Sequence, residues 1–85
     1  MIHPVKVPQL TETMEEGTIV KWLKAAGERV EKMEVLYQIE TDKATMDVES
    51  VDAGFLCEVL APEGQLVRVG QEIARIADTR GECGP

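Results

Sequence analysis

The chain has 85 residues, of which 44% are apolar and 29% charged. That composition marks a globular unit, and a chain of this size buries only about 60–65% of its unfolded surface, so a single domain of modest stability is expected. The 16 acidic residues against 9 basic ones give a formal net charge of −7, which repels phosphate backbones and anionic lipid; nucleic acid and membrane are set aside as partners, and basic protein faces are favoured. No apolar run approaches the ~18 residues of a membrane span. The opening Met1-Ile2-His3-Pro4-Val5-Lys6 resembles neither a secretion signal nor a transit peptide. The expected compartment is the bacterial cytoplasm, or the mitochondrial matrix if a transit peptide has been removed.

Single residue types exclude more. His3 is the one histidine and the two cysteines, Cys57 and Cys83, form no C-x-x-C pair, so a zinc site lacks material. The bland reading of the cysteines is a buried thiol and a tail thiol, with a disulfide between them disfavoured on compartment grounds. The absence of asparagine removes N-glycosylation. No Ser/His/Asp or Cys/His set is present to carry catalysis.

In chain order, Val5–Pro8 reads as a brief strand that Pro8 confines to an edge or ends. Gln9 to Glu16 is polar and acidic; Thr13 and Glu16 have capping-box spacing, but Gly17 follows at once, so a loop is expected. The segment Gly17–Gly27 is ambiguous. Ile19, Trp22, Leu23 and Ala26 recur at helical spacing, and Gly27 suits a helix C-terminus. An internal repeat decides for strand. A shift of 37 residues (54 minus 17) matches Gly17 with Gly54, Leu23 with Leu60, Gly27 with Gly64, Val30 with Val67 and Ile39 with Ile76. It also sets Pro62 opposite Ala25, where a second helix would break.

Each half then supplies a longer strand (17–23; 54–60), a short strand (29–31; 66–68) and a third strand (35–40; 72–76). With Val5–Pro8 and Thr45–Ser50 this makes eight short strands, expected as two four-stranded antiparallel sheets packed face to face in an all-β sandwich or flattened barrel with quasi-two-fold symmetry. Core candidates by alternation are Val7, Ile19, Trp22, Val30, Leu36, Ile39, Met46, Val48, Leu56, Val59, Val67, Ile73 and Ile76. The domain is expected over 1–77, with 78–85 as a flexible tail or the start of an interdomain linker. Met33 is anomalous, because its repeat partner is Gly70; a left-handed residue there costs on the order of 1 kcal/mol with a side chain.

The centre of the chain is Val35–Ser50. Two alternating arms, Val-Leu-Tyr-Gln-Ile-Glu and Thr-Met-Asp-Val-Glu-Ser, flank a short polar middle, Thr41-Asp42-Lys43-Ala44, which asks for a hairpin. Asp42 and Lys43 suit the corners of a type I turn, and neither requires positive φ. Lys43 then points into water among Glu40, Asp42, Asp47 and Glu49. Carboxylates around an amine favour its charged ammonium form, the opposite of what a nucleophilic lysine needs. An exposed amine on a stiff ribbon suits a lysine modified by another protein.

Glu40-Thr41-Asp42-Lys43-Ala44 followed by Thr45-Met46-Asp47-Val48-Glu49-Ser50, together with the 37-residue repeat, resembles the attachment hairpin of the lipoyl domains of 2-oxo acid dehydrogenase complexes. The resemblance implies a flattened barrel with the hairpin and the chain ends at opposite ends, and lipoic acid in amide linkage to Lys43. It implies a non-catalytic carrier within a dihydrolipoyllysine acyltransferase. The partners would be a thiamine-diphosphate-dependent decarboxylase, the acyltransferase catalytic domain, dihydrolipoamide dehydrogenase, and a lipoate ligase or lipoyl synthase system; the isolated domain would be a monomer. Glu40, Asp42, Ala44 and Gly54 are implied in recognition by the lipoylating enzyme. The loop residues Glu12, Glu15 and Glu16 are implied in recognition by partner enzymes, though they equally suit an ordinary solvated loop. Alternatives are a biotinyl carrier, whose hairpin reads Met-Lys-Met where Asp42 and Ala44 stand here, the lipoyl carrier of glycine cleavage, and an unmodified β-sandwich interaction module.

Overall fold

The computed structural model describes residues 1–83. Eight strands follow in order: β1 (Ile2–Lys6), β2 (Glu16–Trp22), β3 (Arg29–Val30), β4 (Val35–Glu40), β5 (Thr45–Glu49), β6 (Gly54–Val59), β7 (Leu66–Arg68) and β8 (Glu72–Ala77), with a 3₁₀ turn at Arg80–Cys83. They form two four-stranded sheets, ordered β1-β8-β6-β3 and β5-β4-β2-β7, and every pairing is antiparallel. The outermost strands of one sheet do not pair with those of the other. The molecule is therefore a sandwich and not a closed barrel.

The 37-residue repeat is visible in this order. Moving β2, β3 and β4 forward by one repeat gives β6, β7 and β8, and β5 corresponds to β1, so one sheet maps onto the other. The halves interlock, because β3 of the first half pairs with β6 of the second and β7 pairs with β2. Neither half can complete a sheet alone.

The segment with helical spacing is strand β2, hydrogen-bonded on both sides to β4 and β7. Within its apparent stripe only Ile19 is fully buried, Trp22 is half-buried, and Leu23 and Ala26 are exposed. The first strand lies earlier than the expected Val5–Pro8: it runs Ile2–Lys6 and contains Pro4, opposite Arg75. β1 is an edge strand, so the missing proline N–H leaves no ladder bond unmade.

The core holds Val7, Ile19, Val30, Leu36, Ile39, Val48, Leu56, Val67, Ile73 and Ile76, as alternation predicts. Trp22, Met46 and Val59 pack against its rim half-buried. Met14, Tyr37, Ala61 and Ala74 are also buried. Alternation misses Tyr37 because β4 bulges between Val35 and Tyr37, which turns the consecutive Leu36 and Tyr37 both inward. The Tyr37 ring packs on Trp22 with centroids 4.9 Å apart, and Trp22 Nε1 donates to the Ala61 carbonyl at 2.8 Å.

Residues 78–83, read from sequence as the beginning of a flexible tail or linker, fold back on the body. Cys57 of β6 and Cys83 are disulfide-bonded, with Cα atoms 4.9 Å apart, so the reading of two unpaired thiols is corrected. A bulge between Leu56 and Glu58 takes Cys57 off the core face, leaving it half-buried and within reach of the chain returning from β8. Asp78 Oδ1 also meets His3 Nε2 at 2.8 Å, and this hydrogen bond holds the Asp78 carboxyl below its usual range. Residues 84–85 lie outside the described part.

Candidate functional site

β4 and β5 form a hairpin in which Gln38 faces Asp47, Ile39 faces Met46 and Glu40 faces Thr45. Ile39 and Met46 turn inward, which anchors the ribbon on the core. Gln38 Nε2 donates to Asp47 Oδ1 at 3.0 Å on the outer face. Thr41–Ala44 closes the ribbon. Asp42 and Lys43 stand at its tip as expected, and neither has positive φ; among the described non-glycine residues only Met33 does.

The closure differs from an ordinary type I turn. The Thr41 N–H donates to the Ala44 carbonyl at 2.8 Å, but the return bond goes to a side chain. The N–H groups of Lys43 and Ala44 each donate to Thr41 Oγ1 at 3.3 Å, and that hydroxyl donates to the Ala44 carbonyl at 3.1 Å.

Lys43 is exposed, and none of the ion pairs among the described residues includes it. The flanking Asp42 and Ala44 are exposed as well.

Beside the hairpin runs an open groove of about 440 Å³, lined by Thr13, Met14, Glu15, Glu16, Gly17 and Thr18 from one side and Glu40, Thr41 and Asp42 from the other, with Leu66. Thus Glu15 and Glu16 share one surface with Glu40 and Asp42. Glu12 does not line it; it sits with Gln9, Leu10 and Thr11, its carbonyl accepting from Gln9 Nε2 at 3.1 Å. Met14 turns the loop inward: it is buried, and its sulfur accepts from the Leu10 N–H at 3.4 Å.

Gly54 is not at this end. It is buried at the start of β6, opposite Val30, beyond the far end of β5, which at ~3.3 Å per residue lies roughly 15 Å or more from the hairpin tip. A Cβ on Gly54 would stand 2.2 Å from the Ala77 carbonyl oxygen, so the missing side chain allows close packing against the end of β8. The glycine behind the hairpin is its repeat partner Gly17, whose missing Cβ would stand 2.8 Å from Ile39 Cγ1 and 3.0 Å from the Glu40 carbonyl oxygen. Sequence reasoning gave Gly17 no part in the site, although the 37-residue match contained the signal.

An exposed, unpaired amine at the tip of a packed ribbon, on a small sandwich with an acidic groove alongside, is the construction of a carrier domain, which presents a group instead of transforming one. The sequence model of the biotin and lipoyl attachment family, described as "Biotin-requiring enzyme", matches residues 3–76. The chain is 49% identical over 77 residues to the dihydrolipoyllysine-residue succinyltransferase component of the 2-oxoglutarate dehydrogenase complex of Staphylococcus saprophyticus, covering 91% of this chain and 18% of that one. It is 49% identical over 75 residues to the dihydrolipoyllysine-residue acetyltransferase component of the pyruvate dehydrogenase complex of Zymomonas mobilis, covering 87% and 17%. It therefore spans less than a fifth of the length of these relatives. Among solved structures, the lipoyl domain of the 2-oxoglutarate dehydrogenase complex of Azotobacter vinelandii superposes with a TM-score of 0.72 at 32% identity, over 89% of this chain and 96% of that domain. Urea carboxylase of Kluyveromyces lactis shares the fold alone, with a TM-score of 0.76 at 23% identity over 91% of this chain and 6% of that one. The chain belongs to the biotin and lipoyl attachment family, as a lipoyl domain.

Proposed function

We propose that this domain carries lipoic acid on Lys43, as part of a dihydrolipoyllysine acyltransferase in a 2-oxo acid dehydrogenase complex. The observation that carries the reading is the exposed, unpaired Lys43 at the hairpin tip. An amide at Nζ fits there, since Lys43 is exposed and, among the described residues, no ion pair must be broken to attach a group. When bound, the dithiolane supplies acyl transfer from a thiamine-diphosphate-dependent decarboxylase to the acyltransferase and coenzyme A, with reoxidation by dihydrolipoamide dehydrogenase.

The chain itself positions and identifies. The core-anchored ribbon holds Lys43 away from the body, and Asp42 and Ala44 flank it as the first features that a lipoylating enzyme meets. Glu40 lies next to them on the ribbon. Glu15 and Glu16, with Glu12 further along the loop, offer partner enzymes an acidic face beside the arm. Tethering makes each visit intramolecular, at an effective concentration of about millimolar for a short flexible link.

Intact-mass measurement after incubation with lipoate, ATP and a lipoate ligase tests the reading. A single lipoyl increment is expected on the wild type and none on Lys43→Ala. An unmodified wild type would overturn the proposal, and a biotin adduct formed with a biotin ligase in its place would assign the domain to the biotinyl carriers.

A further inference from the structure

Thr41 does more in the turn than any other side chain. Its hydroxyl accepts from the N–H groups of Lys43 and Ala44 and donates to the Ala44 carbonyl, which uses the whole capacity of a hydroxyl, one donor and two acceptor sites. Without it the Lys43 and Ala44 amides lose the acceptor that fixes their direction. Thr41 is half-buried while Asp42, Lys43 and Ala44 are all exposed, and a β-branched side chain is stiff at χ1. One hydroxyl, held at the edge of the body, therefore ties the backbone of the modified residue to the end of β4.

We infer that Thr41 is the positioning residue for acylation of Lys43: its hydroxyl fixes the tip so that Nζ reaches the activated carboxyl in one orientation. The inference rests on the function proposed above. In the step concerned, the Lys43 amine, having lost a proton to a base of the ligase, attacks the carboxyl carbon of lipoyl-adenylate. The nitrogen–carbon bond forms, the bond to the phosphate oxygen breaks, and AMP leaves; ATP supplied the activation. Thr41 bonds the main chain of Lys43 and not its amine, so it acts only through that backbone. Serine keeps the hydroxyl and valine keeps the shape without it.

The test uses the whole chain as substrate of a lipoate ligase, with kcat and KM measured for wild type, Thr41→Val and Thr41→Ser. Thr41→Val is expected to lose about 10-fold or more in kcat/KM, chiefly in kcat, because a misplaced reacting group slows the step more than it weakens encounter; Thr41→Ser stays within about threefold of wild type. Amide hydrogen exchange supplies the control: Lys43 and Ala44 exchange faster in Thr41→Val, while core amides such as Ile39 and Val48 keep wild-type protection. Equal kcat/KM for wild type and Thr41→Val overturns the inference, as does a serine variant as poor as the valine one. A core that loses protection in Thr41→Val also overturns it, by making the residue a folding determinant. A wild-type chain that accepts no lipoate at all is the separate failure of the proposed function.

Discussion

Met33 has φ 71°, and Gly70, one repeat later, has φ 89°. The two turns are thus built alike, and the anomaly seen in the sequence is a side chain carried in a left-handed conformation that costs an L-residue about 1 kcal/mol. Met33 is 72% exposed, so its side chain recovers little of that. Met33→Gly is expected to raise stability by no more than about 0.6 kcal/mol, because the greater freedom of glycine in the unfolded chain takes back about 0.4 kcal/mol or more of the relieved strain; urea titration checks it. Tyr37 was not legible as core at all, since the bulge that turns it inward is invisible to a period-2 count. Its hydroxyl is buried with no partner among the described residues, and burial pushes the phenol well above its usual range. Above pH about 10 the unfolded chain gives up the phenolic proton and the folded chain keeps it, so stability falls as pH rises from there. Tyr37→Phe should remove that part of the alkaline loss and, by deleting an unpaired buried hydroxyl, raise stability near pH 7 by about 1 kcal/mol. An alkaline loss in the phenylalanine variant as large as that of the wild type would refute the assignment.

The strands and their number were legible because the repeat settled what each half left ambiguous; of the pairings only the β4–β5 hairpin was, and the interlocking order of the two sheets comes from the structure. Pro62 excluded a helix in the second copy, and the first copy followed. The return of residues 78–83 was not legible: the segment has no periodicity, and its anchor depends on Cys57 being turned off the core face by a bulge. The disulfide closes a loop of sequence separation 26, for which the chain-entropy argument gives about 3–4 kcal/mol. Thermal or urea unfolding of Cys83→Ser should show a loss of that order. Hydrogen exchange should show 78–83 losing protection first, while β4 and β5 stay protected. Equal stability of the oxidised chain and the serine variant would mean that the staple contributes nothing.

At the scale of the molecule, the quasi-two-fold relation exchanges the two ends of a body 39 × 21 × 19 Å. The resemblance therefore drew attention to Gly54, while the two-fold places its repeat partner Gly17 behind the hairpin. The exposed lysine was legible because polar residues between two alternating arms have nowhere else to go, but sequence spacing does not tell which end of a sandwich a residue occupies. The paired glycines also show that the halves are alike in shape and unlike in energy. At position 17 a Cβ meets chiefly the Ile39 side chain, at 2.8 and 2.9 Å, which can shift; at position 54 it meets a backbone oxygen at 2.2 Å, with φ at +154°. Gly17→Ala is expected to cost about 1–3 kcal/mol, as overpacking does, and to slow lipoylation because the displaced Ile39 and Glu40 are the root of the hairpin. Gly54→Ala should cost more than Gly17→Ala yet leave the rate on the folded fraction unchanged, since the damage lies at the end where β1 begins and β8 finishes. Urea titration paired with initial ligation rates separates the two effects. A Gly54→Ala chain that folds well and is lipoylated slowly would return that glycine to the recognition surface and break the division of labour between the ends.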